Sequence, residues 1–416
     1  MTTRNIEGMW PCRVLVWVAL LCGPHAAAAQ TNVGSGPLTG SLADTEPTAG
    51  NLRVGPIKLA PGIVIPEFGW DSNVFEEETN PDEDIVLRVL PEVGLFTSVP
   101  LMRFSGYVGG EFVYFRKFEQ ERYIGYTGRG RVDFLLKKVR PFLAGGKTLS
   151  RTRPNGELEV RADYTIDELS GGLAYDHGPN STFYVAAYRS GLDFYDAFNE
   201  GIALGLSLDR VTYNYSVGMR TDVTPLTSLT LSGSVLEERF KFAPSRDSES
   251  YVATGALKFG SEAVATGVVS LSYRDYKPVD PAVARYRGVS GNAEMVFPVA
   301  ELGRFSLGAS RTLEHSYDIQ QGYFMDNTIS LSYTHRLFYN IDAQVRGAKS
   351  AMEYGFRASV PERRDTQDIV GGGIGYNLRN RSRVSANYEF LRRRSLAVNG
   401  RNYDRQRVFL SWTYQL

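Results

Sequence analysis

Short runs in which apolar and polar residues alternate recur through most of the chain. Residues 124–134, 228–235, 267–274, 329–334, 341–346 and 383–390 all show this pattern. A period of two residues is the period of a β-strand. With their flanks the runs extend ~10 to 14 residues, whereas strands of soluble sandwiches average ~5 to 6 and a tilted bilayer-crossing strand needs ~9 to 11. The pattern therefore predicts transmembrane strands.

Turn signals separate these runs about every 40 residues. Short turns are predicted at Pro100, Pro141, Pro179 and Pro225, and then near Glu262, Pro298, Asn340 and Asn380. Longer polar stretches such as 153–156, 243–250, 277–284 and 360–365 lie between them. Short turns on one side and long loops on the other are typical of outer-membrane barrels, in which the short turns face the periplasm.

The turn count predicts the strand count. Eight short turns join nine hairpins, which predicts an all-β fold, a transmembrane antiparallel up-and-down β-barrel of about 18 strands. Residues 192–209 form either one extra strand pair or a structured loop, so the range is 16 to 20 strands. No segment approaches 18 consecutive apolar residues, so the sequence carries no ordinary signal for a transmembrane helix.

The first 29 residues have the layout of a secretory signal peptide. Arg4 and Arg13 precede a short apolar run over residues 14–21, and alanines 26–29 supply a small-residue cleavage site. Both cysteines of the chain, Cys12 and Cys22, lie in this segment. Cleavage after Ala29 would leave a chain without disulfides or thiolate ligands.

Two further segments complete the predicted organisation. Residues 30–59 are mostly rich in Gly, Pro, Thr and Ser, which predicts a flexible periplasmic segment. Residues 60–416 have uniform strand texture and form the predicted barrel in the outer membrane of a Gram-negative bacterium. The last run places Val408, Leu410, Trp412, Tyr414 and Leu416 on one face up to the end of the sequence. This run looks like the terminal strand that the barrel assembly machinery recognises.

Charge and candidate chemistry argue against most other classes of protein. Removing residues 1–29 takes two of 46 basic and one of 46 acidic residues and leaves 44 against 45, so no nucleic-acid partner is expected. His177, His315 and His335 are scattered without a nucleophile and an orienting group, so no enzyme is predicted. The glycines of residues 371–375 lie within an alternating run, where small strand residues are the simpler explanation than a nucleotide loop. No cofactor and no metal site is predicted.

Acidic residues 76–78 and 82–84 fall in the first predicted outer loop. A solvated loop face is the simpler interpretation. The alternative is divalent-cation bridging to lipopolysaccharide, because hard cations prefer carboxylate oxygens.

The inward face of the predicted strands carries the most informative residues. If the apolar face meets lipid, charges of both signs point at the lumen and suit a water-filled conduit, or else pair across it and hold a closed barrel together. These predicted pore-lining residues are Arg129, Arg131, Asp133, Arg220, Asp222, Arg274, Glu294, Asp342, Arg346, Arg383, Glu389 and Arg407.

Tyrosines are frequent in the same strands. Tyr107, Tyr114, Tyr123, Tyr164, Tyr184 and Tyr188 could stack on sugar rings, but an aromatic girdle at the membrane interfaces is the interpretation that covers most of them.

Three short motifs carry a resemblance to a known family. They are Gly-Trp-Asp-Ser-Asn-Val-Phe at residues 69–75, Thr-Pro-Leu-Thr-Ser-Leu at 224–229 and Arg-Asp-Ser-Glu-Ser at 246–250. In their order along residues 60–416 the chain resembles the second putative β-barrel porin family, outer-membrane barrels often associated with exopolysaccharide export. The resemblance implies a barrel channel with exopolysaccharide as a possible cargo, and it implies no catalytic residues.

Two hypotheses about function follow. The first is a porin-like channel that passes hydrophilic solutes, since 16 to 18 strands leave an aqueous lumen unless loops fold in. The second is a barrel that scaffolds an exopolysaccharide machine without conducting. The expected partners are outer-membrane lipid and lipopolysaccharide, the barrel assembly machinery and, for either hypothesis, polysaccharide and periplasmic export proteins.

Overall fold

The structure of the chain is a computed structural model. It describes residues 52–153, 155–158, 160–195, 198–199, 201–260, 263–354, 362–378, 381–396 and 402–415. The predicted signal peptide, most of residues 30–59, the turns near Glu262 and Asn380, and Leu416 lie outside these residues.

Long antiparallel strands account for nearly all of the described chain. A short strand β1 (Leu52–Val54) precedes seven long ones: β2 (Ile57–Asp71), β3 (Asp84–Val99), β4 (Met102–Phe115), β5 (Tyr123–Phe134), β6 (Val139–Thr152), β7 (Ala162–His177) and β8 (Ser181–Tyr195). Two-residue strands β9 (Phe198–Asn199) and β10 (Ile202–Ala203) and a helix α1 (Leu204–Leu208) follow.

The second group of long strands has eleven members. They are β11 (Arg210–Thr224), β12 (Thr227–Phe240), β13 (Ser248–Phe259), β14 (Thr266–Pro278), β15 (Tyr286–Val299), β16 (Gly303–His315), β17 (Tyr323–Arg336), β18 (Ile341–Glu353), β19 (Arg364–Leu378), β20 (Ser382–Ser395) and β21 (Tyr403–Gln415). Short 3₁₀ turns occupy Glu119–Glu121, Pro244–Arg246 and Ile319–Gln321.

The 18 long strands form one closed up-and-down barrel. Each pairs with its neighbours in chain order, β8 pairs with β11, and β2 pairs with β21 to close the wall. Closure leaves no unpaired edge among these strands. The 18-strand antiparallel prediction is confirmed. Residues 192–195 end the wall strand β8, and the described residues from 198 to 209 form a structured loop with β9, β10 and α1 rather than a wall-forming strand pair.

Facing alternates along every strand, as the period of two predicts. Apolar side chains such as Ile124 and Leu271 are 68% and 62% exposed on the outer surface. A β-bulge in β2, at residues 65–67, changes the parity of that strand, so that Glu67 and Asp71 face inward with the even-numbered residues of β3.

The two ends of the barrel differ in their connections. Eight connections, from residues 100–101 to residues 379–381, are short, and nine longer ones lie at the other end. Short turns mark the periplasmic end in outer-membrane barrels, so the nine longer loops mark the outer end. His177 ends β7 at the periplasmic side. Within the described residues no helix is long and apolar enough to cross a membrane.

Candidate functional site: the lumen and the loops that cross it

Strand register places the twelve charged residues singled out in the sequence on one face of the wall, opposite the exposed apolar side chains. Arg129 pairs in register with Tyr107 and Gly146, for example, while its neighbour Gly128 pairs with the exposed Val108. The twelve side chains fall into two groups by their exposure to solvent.

Six of the twelve are buried in ion pairs that run along the wall. They are Arg131, Asp133, Arg274, Asp342, Glu389 and Arg407. Arg131 binds Asp133 at 2.6 Å on the same strand. Arg407 contacts both Glu389 and Glu67 on the neighbouring strands. These pairs join the same or nearby strands, so they stiffen the wall without bridging the lumen.

The other six keep accessible surface. They are Arg129, Arg220, Asp222, Glu294, Arg346 and Arg383. The Arg129 side chain is 42% exposed although it lies 3.2 Å from Glu168. Arg220 and Asp222 are similarly open, with 3.8 Å between their charged atoms. Four of these accessible groups are cationic and two are anionic.

Glycines of the 371–375 segment make room for two of these arginines. Gly371 and Gly375 face the lumen on β19, and a side chain at either position would collide with Arg346 or Arg383. Their absence of a Cβ lets Arg346 reach Glu389 at 2.5 Å and Arg383 reach Asp342 at 2.6 Å. The glycine-rich segment is therefore part of the charged wall, in agreement with its interpretation as a strand.

The wall from β11 to β17 is lined largely by small hydroxyl side chains. One register row runs through Ser232, Thr254, Ser272 and Ser290. Thr254 and Ser272 share a hydrogen bond of 2.8 Å. The next row contains Thr230, Ser270, Asn292, Ser310 and Thr328. This part of the wall therefore presents a neutral surface rich in hydroxyl groups between its charged residues.

The tyrosines are distributed differently from the girdle interpretation, which is wrong for five of the six. Tyr107, Tyr123, Tyr164, Tyr184 and Tyr188 share the lumen face with Arg129, and Tyr114 faces out. Two of these hydroxyls bind carboxylates of the wall: Tyr107 donates to Glu92 at 3.0 Å and Tyr188 donates to Glu168 at 2.8 Å. In β5 the polar residues Arg129 and Arg131 alternate with apolar ones, so Tyr123, at the same parity, must face the lumen with them. This pattern in the sequence already argued against a girdle position for Tyr123.

One outer loop crosses the lumen. Residues 153–161, here called the cross-lumen loop, join β6 and β7, the fifth and sixth strands around the barrel from β2. Gly156 lies against Met352 of β18, the fifteenth strand and thus on the opposite side. The Gly156 carbonyl accepts a hydrogen bond of 2.6 Å from Arg393. The loop therefore spans the lumen at its outer end.

Glu157 fastens the cross-lumen loop to the loop between β16 and β17. Its carboxylate accepts hydrogen bonds from the Ser316 hydroxyl at 2.6 Å and from the Tyr317 backbone N–H at 3.0 Å. Burial raises the pKa of Glu157 to about 7, against the opposing effect of these hydrogen bonds and of Arg363 and Arg393. The fastening thus contains a carboxyl group that titrates near neutral pH.

Apolar packing fills part of the outer lumen beside this loop. Leu158 of the cross-lumen loop, Leu204 and Leu208 of α1, and Tyr317 pack together against Tyr164, Ile166 and Phe194 of the wall. Arg246 joins the same assembly by donating to the carbonyls of Ser207 and Ser316. Four outer loops are thereby held inside or over the barrel mouth rather than projecting from it.

The first outer loop holds the other side of the cross-lumen loop. Arg153 and Arg161 donate to the Val74 carbonyl at 3.0 and 3.2 Å. Glu76 lies 3.2 Å from Arg153 and 2.8 Å from Arg405. Burial by itself raises the pKa of Glu76, but the guanidinium groups of Arg153 and Arg405 lower it by more. The pKa of Glu76 is therefore below its usual value. Glu76 is therefore engaged within the protein.

The sequence motif at residues 69–75 is explained by this loop. Asp71 forms a bidentate contact with Arg405. The Asn73 side-chain amide donates to the Glu77 carbonyl at 2.8 Å and accepts from the Glu77 backbone N–H at 2.9 Å. Val74 is fully buried. The motif turns the chain inward at the end of the first barrel strand, so its role in the described structure is architectural.

Other candidate chemistry gains no support from the geometry. His315 packs against Glu238 at 2.9 Å and against the ring of Phe240. His335 contacts Tyr333 near a periplasmic turn. Among the described residues there is no group of three or more His, Cys, Asp or Glu side chains arranged to hold a metal ion.

Comparison with known proteins places this barrel among porins. The model of a family described as putative beta-barrel porin 2 matches residues 48–416. No curated protein matches the chain in sequence. OccK2 (OpdF) of Pseudomonas aeruginosa, solved with glucuronate, has a TM-score of 0.50 and 12% identity over 86% of this chain and 98% of its own. OccAB3 of Acinetobacter baumannii has a TM-score of 0.49 and 11% identity over 87% and 100% of the two chains. At such identities the likeness shows the barrel fold alone.

Proposed function

Because the chain belongs to the putative beta-barrel porin 2 family, a family of outer-membrane β-barrels of Gram-negative bacteria, we propose that it is a channel for small hydrophilic solutes. A wall of 18 strands is too wide to be filled by strand side chains alone. The family and the fold are those of channels and not of enzymes.

The observation that carries the proposal is the accessible polar surface of the lumen. Arg129, Arg220, Arg346 and Arg383 offer guanidinium groups that stay charged at any working pH, and the β11–β17 wall offers hydroxyls. Such a surface replaces the hydration shell of an anionic or hydroxyl-bearing solute as it passes. The buried ion pairs keep this surface rigid.

The cross-lumen loop favours small solutes over a polymer. It is held at Arg393 and at Ser316, so an extended polysaccharide would have to displace both contacts. Exopolysaccharide export therefore stays a hypothesis drawn from the family resemblance, without support in the described contacts. The alternative is a scaffold that does not conduct, and a measurement of solute uptake distinguishes it from a channel.

Liposome swelling tests this proposal. Purified, folded barrel in liposomes should admit monosaccharides and sugar acids quickly and should exclude large oligosaccharides. Uptake of hexuronate should exceed that of the matching neutral hexose, because the six accessible members of the predicted pore-lining set are four cationic and two anionic. Equal uptake of monosaccharides and large dextran fragments would support a polymer conduit, and no uptake of either would support the scaffold.

A further inference from the structure

The lipid-facing surface of the barrel carries a groove of about 900 Å³ that spans β7 to β14. The groove follows a register row in which Gly171, Ala187, Tyr215, Val235, Tyr251 and Asp275 lie side by side on successive strands. The next row contributes Gly233, which has no side chain, and Ala253, which has only a methyl group, and both deepen the floor. Tyr215, Tyr251 and Tyr273 are about half exposed and form its sides.

The dimensions of this groove fit one lipid tail. Six strands spaced about 4.8 Å apart give it a length of roughly 24 Å, and two rows on one face lie roughly 7 Å apart. Because barrel strands are tilted by about 45°, a row that crosses them is inclined by about 45° as well, and ~24 Å of groove covers roughly 17 Å of membrane depth. This is close to the half of the ~30 Å hydrocarbon core over which a tail in one leaflet extends. A second copy of the barrel presents a convex wall, which cannot enter so narrow a depression.

The outer end of the groove meets a cluster of cations. Asp275 binds Arg285 at 2.5 Å and lies 3.4 Å from Arg287. Lys277 lies 4.2 Å from the centre of the Tyr251 ring. Arg285 and Arg287 remain about half exposed beside Asp275, so these four charged groups together leave a net charge of +2. The β14–β15 connection belongs to the long-loop end of the barrel, which places the cluster at the outer leaflet.

We propose that this groove binds one molecule of lipopolysaccharide through its lipid A, with an acyl chain over the small residues Gly171, Ala187, Gly233 and Ala253 and a phosphate at Arg285, Arg287 and Lys277. Entry of the tail gains no hydrophobic free energy, because lipid already surrounds the surface. Selectivity therefore rests on the phosphate, for which arginine is a favourable partner through charge-assisted hydrogen bonds, and on the close fit of the tail. The site is independent of conduction through the lumen.

Native mass spectrometry of the full-length barrel in detergent, with added lipid A, phosphatidylglycerol or phosphatidylethanolamine, tests this site. The wild-type protein should retain one lipid A, more strongly than phosphatidylglycerol, and should retain phosphatidylethanolamine least. The double variant R285A/R287A should lose about tenfold or more of its lipid A affinity, as expected for losing hydrogen bonds to a charged group.

Glycine positions supply matched variants. Gly233→Phe fills the groove, and Gly128→Phe adds the same ring elsewhere on the lipid face; neither glycine has an atom within 4 Å of the added Cβ. Gly233→Phe should reduce lipid A retention while Gly128→Phe retains it. If Gly233→Phe fails to give a folded barrel, Ala253→Leu in the same groove replaces it.

Four results would overturn the proposal. The first is equal retention of all three lipids, and the second is equal retention by the Gly233→Phe and Gly128→Phe variants. The third is a wild-type dimer that Gly233→Phe dissociates, which would assign the groove to a second copy. Retention of phosphatidylglycerol equal to that of lipid A would overturn the assignment to lipopolysaccharide.

Discussion

Individual arginines are the residues most directly tied to selectivity. The alternation pattern identified the face of each charged residue but could not identify its partner, because partners lie on strands up to hundreds of positions away, as with Glu67 and Arg407. Pairing decides which charges solutes can reach. Arg131, 7% exposed beside Asp133, is structural, whereas Arg129 is accessible.

The first prediction concerns these accessible arginines. Arg129→Glu with Arg220→Glu changes the six accessible members of the predicted pore-lining set from four positive and two negative to two positive and four negative. The permeability ratio in planar bilayers should then shift from mild anion preference towards cations, since charges lining a pore govern its selectivity. Arg189→Gln, on the outer face of β8, is the control and should leave the ratio unchanged. An unchanged ratio in the double variant would show that these residues do not line the route.

The second prediction tests facing on one part of the wall. Leu271→Arg puts a charge into lipid near the middle of β14 and should cost ~2 to 4 kcal/mol of folding free energy. Ser290→Arg, on the lumen face of the neighbouring strand, should cost little. Urea titrations of the two variants in lipid vesicles measure the difference. Equal stabilities would contradict the assignment of faces.

The third prediction concerns Glu157. Its pKa rises to about 7 when the cross-lumen loop is docked, above the ordinary value of 4.5. Docking is therefore fully favoured below pH 4.5 and weakens as the pH rises through 7, by up to about 1.4 kcal/mol per unit. Channels should be larger or more often open at pH 8 than at pH 5. Glu157→Gln should abolish this difference, and a wild-type channel that opens further in acid would contradict the assignment.

At the scale of elements, strands were predictable and the loops' destinations were not. The two-residue period and the spacing of the turns depend on neighbours along the chain, so they indicated 18 strands. For residues 192–209 they left a choice between an extra strand pair and a structured loop. The contact of Glu157 with Ser316 joins residues 159 positions apart. No pattern among neighbouring residues predicts such a contact. The sequence therefore showed that the lumen would be open unless loops fold into it, but not whether they do.

The fourth prediction concerns the cross-lumen loop as an element. Replacing residues 155–158 by a Gly-Ser linker removes the Glu157 hydrogen bonds and the Leu158 packing while leaving the β6–β7 pairing intact. Unitary conductance should rise, because the obstruction at the outer end is released. The same replacement at residues 79–82, which are exposed, should leave conductance unchanged. Equal conductance of both variants would mean that the loop lies off the route.

At the scale of the whole molecule, closure is what makes the fold suited to a membrane. β21 pairs with both β20 and β2, so every strand of the wall satisfies its backbone hydrogen bonds without water. The final alternating run of the sequence forms β21, with Val408 and Leu410 turned to lipid. Overall architecture followed from the sequence because a barrel is built from nearest-neighbour hairpins, whereas its openness depends on long-range loop contacts.

Single-channel recording in planar bilayers tests the central claim, a conducting lumen narrowed by folded-in loops, most directly. Barrel that migrates faster unheated than boiled, and is therefore folded, should give discrete conductance steps with mild anion preference. The steps should grow when residues 155–158 are replaced. Folded barrel that gives no steps, either intact or with the replaced loop, would contradict the claim and leave the scaffold as the function.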